Sequence, residues 1–316
     1  MSVSSPLSVA IVIPVFNEAE VIEQTHSRLR AVIDPLPYQF LIYYVDDGSK
    51  DETPRLLRAL AKQDPRIRIL TLSRNFGHQA ALTAGLDHAE GEIVISMDAD
   101  GQHPPELIPE MIALICQGYD IVQTQRLDEA QPASFKKWTS ALFYRLINLM
   151  SGTNILPGAA DFRALSRQAV EALKAMPEYH RFLRGMVAWI GYRTVILPYH
   201  PRQRLAGRSK YSLRKMLRLA MDAIFSFSLV PLYIGISLGI LFLFLAVLEM
   251  AYVLSFWITG RTSNLAPGWS SLMFVLLIIG GTIMVLLGFI GLYIGYIFQE
   301  VKRRPVYLLR HDPDDE

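Results

Sequence analysis

The sequence of 316 residues contains one cysteine, Cys116. A single thiol forms no internal disulfide and supplies no cysteine-based zinc cluster, which suits a cytosolic domain. Charge is also scarce: 19% of the residues are charged, and 31 Lys and Arg nearly balance 29 Asp and Glu for a net charge of +2. This balance excludes a protein that binds nucleic acid through its overall charge, so any basic function must be local.

Two segments near the C-terminus almost lack ionisable side chains. Residues 229–258 contain only Glu249, and residues 271–298 contain none. Each segment exceeds the roughly 20 residues that a helix needs to cross a bilayer core. We therefore predict two transmembrane helices rather than two buried helices of a soluble domain.

The basic residues that flank these segments predict their orientation. Seven Lys and Arg residues and no acid lie between positions 202 and 218, and three more basic residues follow at 302–304. The intervening loop has only Arg261. The positive-inside rule therefore predicts a multi-pass protein of the inner (cytoplasmic) membrane, with the N-terminal domain and both termini in the cytoplasm. Glu249 is expected to be protonated or paired with another helix rather than to contact substrate.

Up to about residue 200, short β-rich runs alternate with helical patterns. The runs are VAIVIPV, FLIYYV, RIRIL, EIVISM and DIVQT. The first contains Pro14 and lacks a basic leader, so we interpret it as a buried strand and not as a signal peptide. The alternation predicts an α/β domain with a mostly parallel sheet and helices on both faces. Ligands of such sheets bind at the carboxyl ends of the strands.

Carboxylates follow three of the predicted strands, as Glu18, as Asp46 and Asp47, and in the segment that begins at Asp98. Carboxylates that face one another repel unless they bind a cation or accept hydrogen bonds from neutral groups. The alternate spacing of Asp98, Asp100 and Gln102 suits a hard divalent ion, with places left for diphosphate oxygens and water. With no thiolate or paired-histidine set in sight, we expect Mg²⁺ or Mn²⁺ rather than Zn²⁺.

Six motifs occur in this order: IVIPVFNE (11–18), VDDGSKD (45–51), SRNFGHQAALTAG (73–85), MDADGQHPPE (97–106), DFR (161–163) and RLAGRSKYS (204–212). Together they resemble the motifs of family-2 glycosyltransferases of the GT-A fold, in the polyprenyl-phosphate branch that contains dolichol-phosphate mannose synthase and bactoprenol glucosyltransferases. The resemblance implies a Rossmann-like GT-A domain and an inverting enzyme. Such an enzyme moves one hexose from a nucleotide sugar to polyprenyl (undecaprenyl) phosphate on the cytoplasmic leaflet.

The same resemblance implies roles for individual residues. The catalytic residues would be Asp161, Arg204 and Lys210. The donor-binding residues would be Pro14, Phe16, Glu18, Val45, Asp46, Asp47, Asp98, Ala99, Asp100, Arg126, Arg204 and Lys210. The metal ligands would be Asp98, Asp100 and Gln102. Position 208 is Arg where the family commonly has Glu.

Asp161 has two interpretations, a catalytic aspartate or an ordinary buried carboxylate paired with Arg163. A lipid monophosphate has a second pKa of about 6, as a phosphorylated side chain does, so the acceptor is already largely anionic. We therefore expect Asp161 to orient the acceptor or to offset transition-state charge rather than to act as a strong base. His78, His103 and His200 are scattered, and we expect loop packing or phosphate contact from them rather than metal ligation.

The predicted organisation has four parts: a catalytic domain (1–205), a juxtamembrane loop and amphipathic helix (206–228), a transmembrane hairpin (229–298) and a cytoplasmic tail (299–316). Residues 135–150 fit either an amphipathic helix at the bilayer interface or a core-packing helix. Glycines in the second apolar segment favour close helix packing, which would allow a homo-oligomer.

UDP-glucose is the first donor expected from the resemblance, and GDP-mannose is the alternative. A processive polysaccharide synthase is disfavoured, because the Q-x-x-R-W pattern of such enzymes is missing after Asp161. A silent membrane scaffold or a lipid-linked-sugar flippase is the third hypothesis.

Overall fold

A computed structural model describes residues 6–127, 156, 158–179, 181–201, 230–260 and 268–310. Arg204, Arg208 and Lys210 lie outside these described residues, as do the predicted amphipathic segments at 135–150 and 211–227. The chain forms two compact units, Met1–Ala223 together with Arg304–Glu316, and Ile224–Arg303. The domain boundaries given above remain predictions.

The described part of the first unit contains seven strands and six α-helices. The strands are β1 (Ser8–Val15), β2 (Gln39–Asp46), β3 (Ile67–Thr71), β4 (Ile93–Ser96), β5 (Ile121–Arg126), β6 (Ala159–Ser166) and β7 (Thr194–Tyr199). The helices are α1 (Ile22–Ile33), α2 (Thr53–Gln63), α3 (His78–His88), α4 (Ile108–Cys116), which follows a 3₁₀ turn at Pro105–Leu107, α5 (Arg167–Lys174) and α6 (Leu183–Trp189).

The seven strands form one sheet in the order β3-β2-β1-β4-β6-β5-β7. Every neighbouring pair is parallel except that β6 runs antiparallel to β4 and to β5. The predicted mostly parallel α/β sheet is therefore confirmed, and all five predicted strands are present. β6 and β7 were not among the predicted strands. β6 has no continuous apolar run because it carries two buried charged residues, Asp161 and Arg163.

The core lies on both faces of the sheet, because helices cover each face. Residues 9–13 of β1 are fully buried. Ile11 and Ile13 belong to the same apolar cluster as Leu29 of α1. On the opposite face α3 packs so closely that a Cβ added at Gly85 would lie 2.1 Å from Val12 Cγ1. Glycine at this position therefore fixes the distance between α3 and the sheet.

The second unit contains two long apolar helices, α7 (Val230–Ile258, 29 residues) and α8 (Trp269–Val301, 33 residues). Large apolar side chains are exposed along both, among them Ile240, Tyr252, Met284 and Ile294. Within the described residues, one stretch, Ile278–Val301, has the length and mean hydropathy (2.2) of a membrane-spanning helix.

Candidate functional site

The carboxyl ends of β1, β2, β4 and β5 lie at one edge of the sheet, as expected for parallel strands. β6 reaches the same edge with its beginning rather than its end, because it runs antiparallel. Its Arg163 pairs with Ser96, the last residue of β4. Asp161, two residues earlier, therefore lies beyond the end of β4, beside the segment that begins at Asp98. Ser96 Oγ donates a hydrogen bond to the Asp161 carbonyl over 2.6 Å and holds this register.

The Asp161 carboxylate is surrounded by cationic side chains. Arg163 Nη2 donates to Oδ1 over 2.6 Å, while Arg184 of α6 binds in bidentate fashion, from Nε to Oδ1 (3.1 Å) and from Nη2 to Oδ2 (2.9 Å). His78 Nε2 lies 3.5 Å from Oδ2. Asp161 is only 5% exposed. The pairing with Arg163 expected from the sequence is present, and Arg184 and His78 extend it.

These contacts decide the protonation state of Asp161. Burial opposes its charge, but Arg184, His78 and Arg163 outweigh burial and hold the pKa of the carboxyl well below its usual range. Asp161 is therefore ionised at neutral pH and is a weak base.

His78 lies between two acidic groups. It is the first residue of α3, and its Nε2 is 3.5 Å from both Asp98 Oδ1 and Asp161 Oδ2. Desolvation opposes protonation, but the charges of Asp98 and Asp161 prevail and raise the pKa of His78 to about 9. His78 is thus a cation at neutral pH. His103 packs as expected, stacked on Phe162 with ring centroids 5.1 Å apart, and its Nδ1 accepts from the Asp98 backbone N–H.

The segment after β4 carries the predicted metal ligands. Asp98 Oδ1 is buried and accepts no hydrogen bond from the described residues. Asp100 Oδ1 accepts from the Gln102 N–H over 3.0 Å, and Arg126 Nη1 lies 3.4 Å from Gln102 Oε1. Within the described part of the chain, no three His, Cys, Asp or Glu side chains converge as a metal cluster. Two carboxylates and an amide oxygen suit Mg²⁺ or Mn²⁺ only where ligand oxygens and water complete the coordination.

Asp46 and Asp47, at the end of β2, differ in their surroundings. Asp46 Oδ1 accepts from the Ser49 N–H over 2.9 Å, whereas its buried Oδ2 accepts no hydrogen bond from described residues. Asp47 accepts from the N–H groups of Phe76 and Gly77 over 2.7 and 2.9 Å. Burial raises the pKa of both carboxyls. Asp47 anchors the loop that leads into α3 and therefore places His78.

The loops after β1 and β2 are tied to each other. The Asn17 N–H donates to Ser49 Oγ over 2.9 Å, and Asn17 Oδ1 accepts from the Lys50 N–H over 2.8 Å. Pro14 is buried and pairs with Val45, which joins these two predicted donor-binding residues on neighbouring strands. Phe16 and Glu18 are half-buried.

The sheet edge therefore brings together most of the residues that the sequence predicted. Arg126, the last residue of β5, and Ala99, which is buried, lie in the same group. Arg184 was not predicted as a site residue, and His78 was not expected between two carboxylates. Arg184 belongs to none of the six motifs. Tyr199, at the end of β7, was also missed; burial raises its pKa to about 12.

Ligands of open α/β sheets bind at the carboxyl ends of the strands, which is where these acidic and cationic side chains lie. The model of the family described as "Glycosyl transferase family 2" matches residues 10–174. The chain belongs to this family and is a glycosyltransferase.

Individual relatives extend the match to the whole chain. An uncharacterized glycosyltransferase, YkcC of Bacillus subtilis, is 41% identical over 97% of this chain and 94% of its own length. An SfII prophage-derived bactoprenol glucosyl transferase of Shigella flexneri is 38% identical over 96% of this chain and 98% of its own. The resemblance to the polyprenyl-phosphate branch is thereby confirmed.

Among solved structures, glucosyl-3-phosphoglycerate synthase from Mycobacterium tuberculosis, in complex with Mn²⁺, UDP and glucosyl-3-phosphoglycerate, is similar with a TM-score of 0.48. It is 17% identical, and the match covers 69% of this chain and 78% of that one.

Proposed function

We propose that this glycosyltransferase moves one hexose, with inversion, from a nucleotide sugar to polyprenyl (undecaprenyl) phosphate, and that UDP-glucose is its donor. The observation that carries the proposal is the position of Asp161, 3.5 Å from a histidine that is also 3.5 Å from Asp98. This arrangement sets an ionised carboxylate beside the segment that would bind the donor diphosphate. The bactoprenol glucosyl transferase relatives support the acceptor and the sugar.

In the proposed reaction a phosphate oxygen of the acceptor attacks the anomeric carbon. A new carbon–oxygen bond forms as the bond to the nucleoside diphosphate breaks, and the bonding electron pair leaves with the diphosphate. The acceptor is largely a dianion at neutral pH, since its second pKa is about 6, so it needs little deprotonation. Asp161 is unsuited to be a strong base, because three cationic side chains stabilise its charged form. Its proposed role is to orient the acceptor and to offset positive charge at the sugar ring.

The leaving diphosphate needs positive charge on the other side of the sugar. Asp98, Asp100 and Gln102 would hold Mg²⁺ or Mn²⁺, and the buried Asp98 Oδ1, which lies 3.5 Å from His78 Nε2 but accepts no hydrogen bond from the described residues, supports this assignment. Such an ion would stabilise the negative charge of the leaving group. Arg126, which contacts Gln102, would bind the same diphosphate. Arg204 and Lys210 are proposed to close over the donor.

The proposed acceptor is a membrane lipid, which requires the enzyme to be at the bilayer. α7 and α8 are 29 and 33 residues long and expose apolar side chains. We propose that both span the inner membrane and that the catalytic domain and both termini are cytoplasmic.

Labelling with a membrane-impermeant maleimide tests this topology. Exposed Cys116 provides a native cytoplasmic probe, and Ser263→Cys in a Cys116→Ser background probes the predicted external loop. Cys116 should react only in inverted vesicles and the introduced thiol only in spheroplasts. Labelling of both from one side would refute the hairpin.

A direct assay tests the reaction. Purified protein in detergent is incubated with Mn²⁺, undecaprenyl phosphate and, in turn, UDP-glucose, UDP-galactose and GDP-mannose. Nucleoside diphosphate release and the mass of the lipid product are measured. Acceptor-dependent release from UDP-glucose with one hexose added to the lipid is expected. Release from GDP-mannose alone would replace the donor assignment, and a folded protein that binds no nucleotide would favour the scaffold hypothesis.

A further inference from the structure

The segment at residues 305–310 returns to the first unit and lies against the edge strand β3. Leu309 forms an antiparallel bridge with Leu72, directly after β3. Two backbone hydrogen bonds flank the bridge, from the Ser73 N–H to the Leu308 carbonyl (2.8 Å) and from the Arg310 N–H to the Thr71 carbonyl (2.7 Å). This segment is therefore joined by a single bridge to the chain directly after the outermost strand β3.

A side-chain contact fixes the same segment a second time. Tyr307 Oη donates to Asp87 Oδ2 of α3 over 3.1 Å, and the Tyr307 ring packs edge-on against His88 at 6.1 Å between centroids. Asp87 belongs to α3, whereas the backbone contacts are with residues 71–73 at the end of β3. The segment is therefore held at two separate places. Its position is thus determined by specific contacts and not by chain connectivity alone.

Arg310 consequently lines a cavity of about 720 Å³ at the carboxyl ends of β2 and β3. Three further cationic side chains line this cavity, Lys50, Arg58 and Arg74. Asp46 also lines it, and its buried Oδ2 accepts no hydrogen bond from described residues. The cavity thus combines one unsatisfied acceptor with several donors.

The loops that form the cavity wall pack closely against each other at Gly48. Gly48 has φ +67°, and a Cβ added there would lie 2.6 Å from the Arg74 carbonyl carbon. The loop after β2 and the loop after β3 therefore touch through a backbone that only glycine allows. Arg74 and Arg310 stand on the two chain segments that adjoin this contact.

We propose that Arg310 is a donor-binding residue, and that the C-terminal segment places it at the nucleoside end of the donor site. The inference rests on the proposed function and adds to it a residue outside the six motifs. Uracil presents a ring N–H, which Asp46 Oδ2 can accept, between two carbonyl oxygens that a guanidinium can meet, and guanine presents a ring N–H beside one carbonyl oxygen. Arg310 would thus favour uracil or guanine over adenine, which has no carbonyl oxygen.

The test compares Arg310→Gln with Arg304→Gln in the full-length protein. Both residues are exposed and lie in the same C-terminal stretch, but only Arg310 lines the cavity. Titration calorimetry with UDP, GDP and ADP measures nucleotide affinity without acceptor or turnover. Removal of Arg310 should weaken the preferred nucleotide about 10-fold, the usual effect of losing a charge-assisted hydrogen bond. It should also reduce the ratio between the affinity for the preferred nucleotide and the affinity for ADP.

Tyr307→Phe independently tests whether the C-terminal segment positions Arg310, because it removes the hydroxyl that contacts Asp87 (3.1 Å) and His88 (3.5 Å) and keeps the ring. This variant should lose nucleotide affinity, but less than Arg310→Gln does. Its KM for the lipid acceptor should be unchanged. Equal losses in Arg310→Gln and Arg304→Gln would reduce the effect to general charge and overturn the inference. Unchanged binding in Arg310→Gln would overturn it as well. Failure of the wild-type protein to bind any nucleotide would instead refute the proposed function, and this inference with it.

Discussion

Two acidic centres, Asp161 and Asp98, lie a few ångströms apart at the carboxyl ends of the strands, and their surroundings differ. Asp161 is buried and accepts hydrogen bonds from Arg163 and Arg184. Asp98 is about one-third exposed and keeps one buried oxygen without a hydrogen bond from the described residues. The chain's own cations neutralise the first centre. The imidazoles of His78 (3.5 Å) and His103 (3.7 Å) lie beside the second, whose buried Oδ1 still has capacity for a cation that arrives with the ligand.

His78 joins the two centres. Its ring nitrogen is equally far from both carboxylates, and its charge is shared between them. His78 therefore offsets part of the negative charge of each centre, and substitutions in either centre test what that centre does.

The largest effect is expected from Asp100→Ala, which removes a proposed metal ligand. Metal-stimulated turnover should fall by roughly 1000-fold, since a bound metal contributes several kcal/mol of transition-state stabilisation. Turnover measured against Mn²⁺ concentration checks this result. Glu106→Ala, at an exposed position a few residues further on, is the matched control. If Asp100→Ala keeps the wild-type response to metal, the metal assignment is wrong.

Asp161→Asn should lower kcat by about 100-fold, the cost of losing a well-placed electrostatic group. Nucleotide affinity should stay nearly unchanged, because the substitution leaves the Asp98 segment intact. Single-turnover assays and calorimetry separate the two effects. Wild-type turnover would remove Asp161 from the mechanism, whereas loss of nucleotide binding would show that the two centres are not separable.

Arg184→Lys should reduce kcat by about 10-fold, because a lysine ammonium cannot replace the bidentate guanidinium contact with Asp161. Arg193→Lys offers a comparison at an exposed arginine, which stacks on Tyr119 away from this carboxylate. Thermal unfolding of both variants controls for stability. An Arg184→Lys enzyme as fast as wild type would show that orientation of Asp161 is unimportant.

The smallest effect concerns an acid with a structural role, Asp64. Arg66 binds it through Nε (2.9 Å) and Nη2 (2.7 Å) and thereby lowers its pKa to about 2. The folded-state pKa is depressed below the unfolded value of about 3.9, so this stability is present above that value and is lost as the pH falls toward 2. Asp64→Asn should cost about 1–2 kcal/mol at pH 6 and less at pH 3.

Denaturation of the detergent-solubilised protein at the two pH values measures this difference. The kcat of Asp64→Asn at neutral pH should hardly change, unlike the turnover of the Asp100 and Asp161 variants. A stability loss equal at both pH values would mean that the carboxylate charge of Asp64 does not stabilise the fold.

Much of the fold was predictable because its signals are local. The apolar runs of β1 to β5 and the turn-forming acids behind them lie next to each other in the sequence, and strand direction follows from the helices between them. β6 was not predicted because its two buried charged residues, Asp161 and Arg163, interrupt the apolar run that would indicate a strand. Arg184 was missed for another reason, since 23 residues separate it from the carboxylate that it binds.

The sequence by itself determined the family, the mostly parallel sheet and the positions of the acidic residues, because these depend on motifs and on short-range periodicity. Only the tertiary structure decided which acid accepts hydrogen bonds from arginines and which keeps a buried oxygen without one from the described residues. The reversal of β6 brings Asp161 next to Asp98, and the folding of α3 and α6 adds His78 and Arg184. The C-terminal segment likewise brings Arg310 to the cavity that Asp46 also lines. Electrostatic environment depends on distance through space, and residues remote in the chain set that distance.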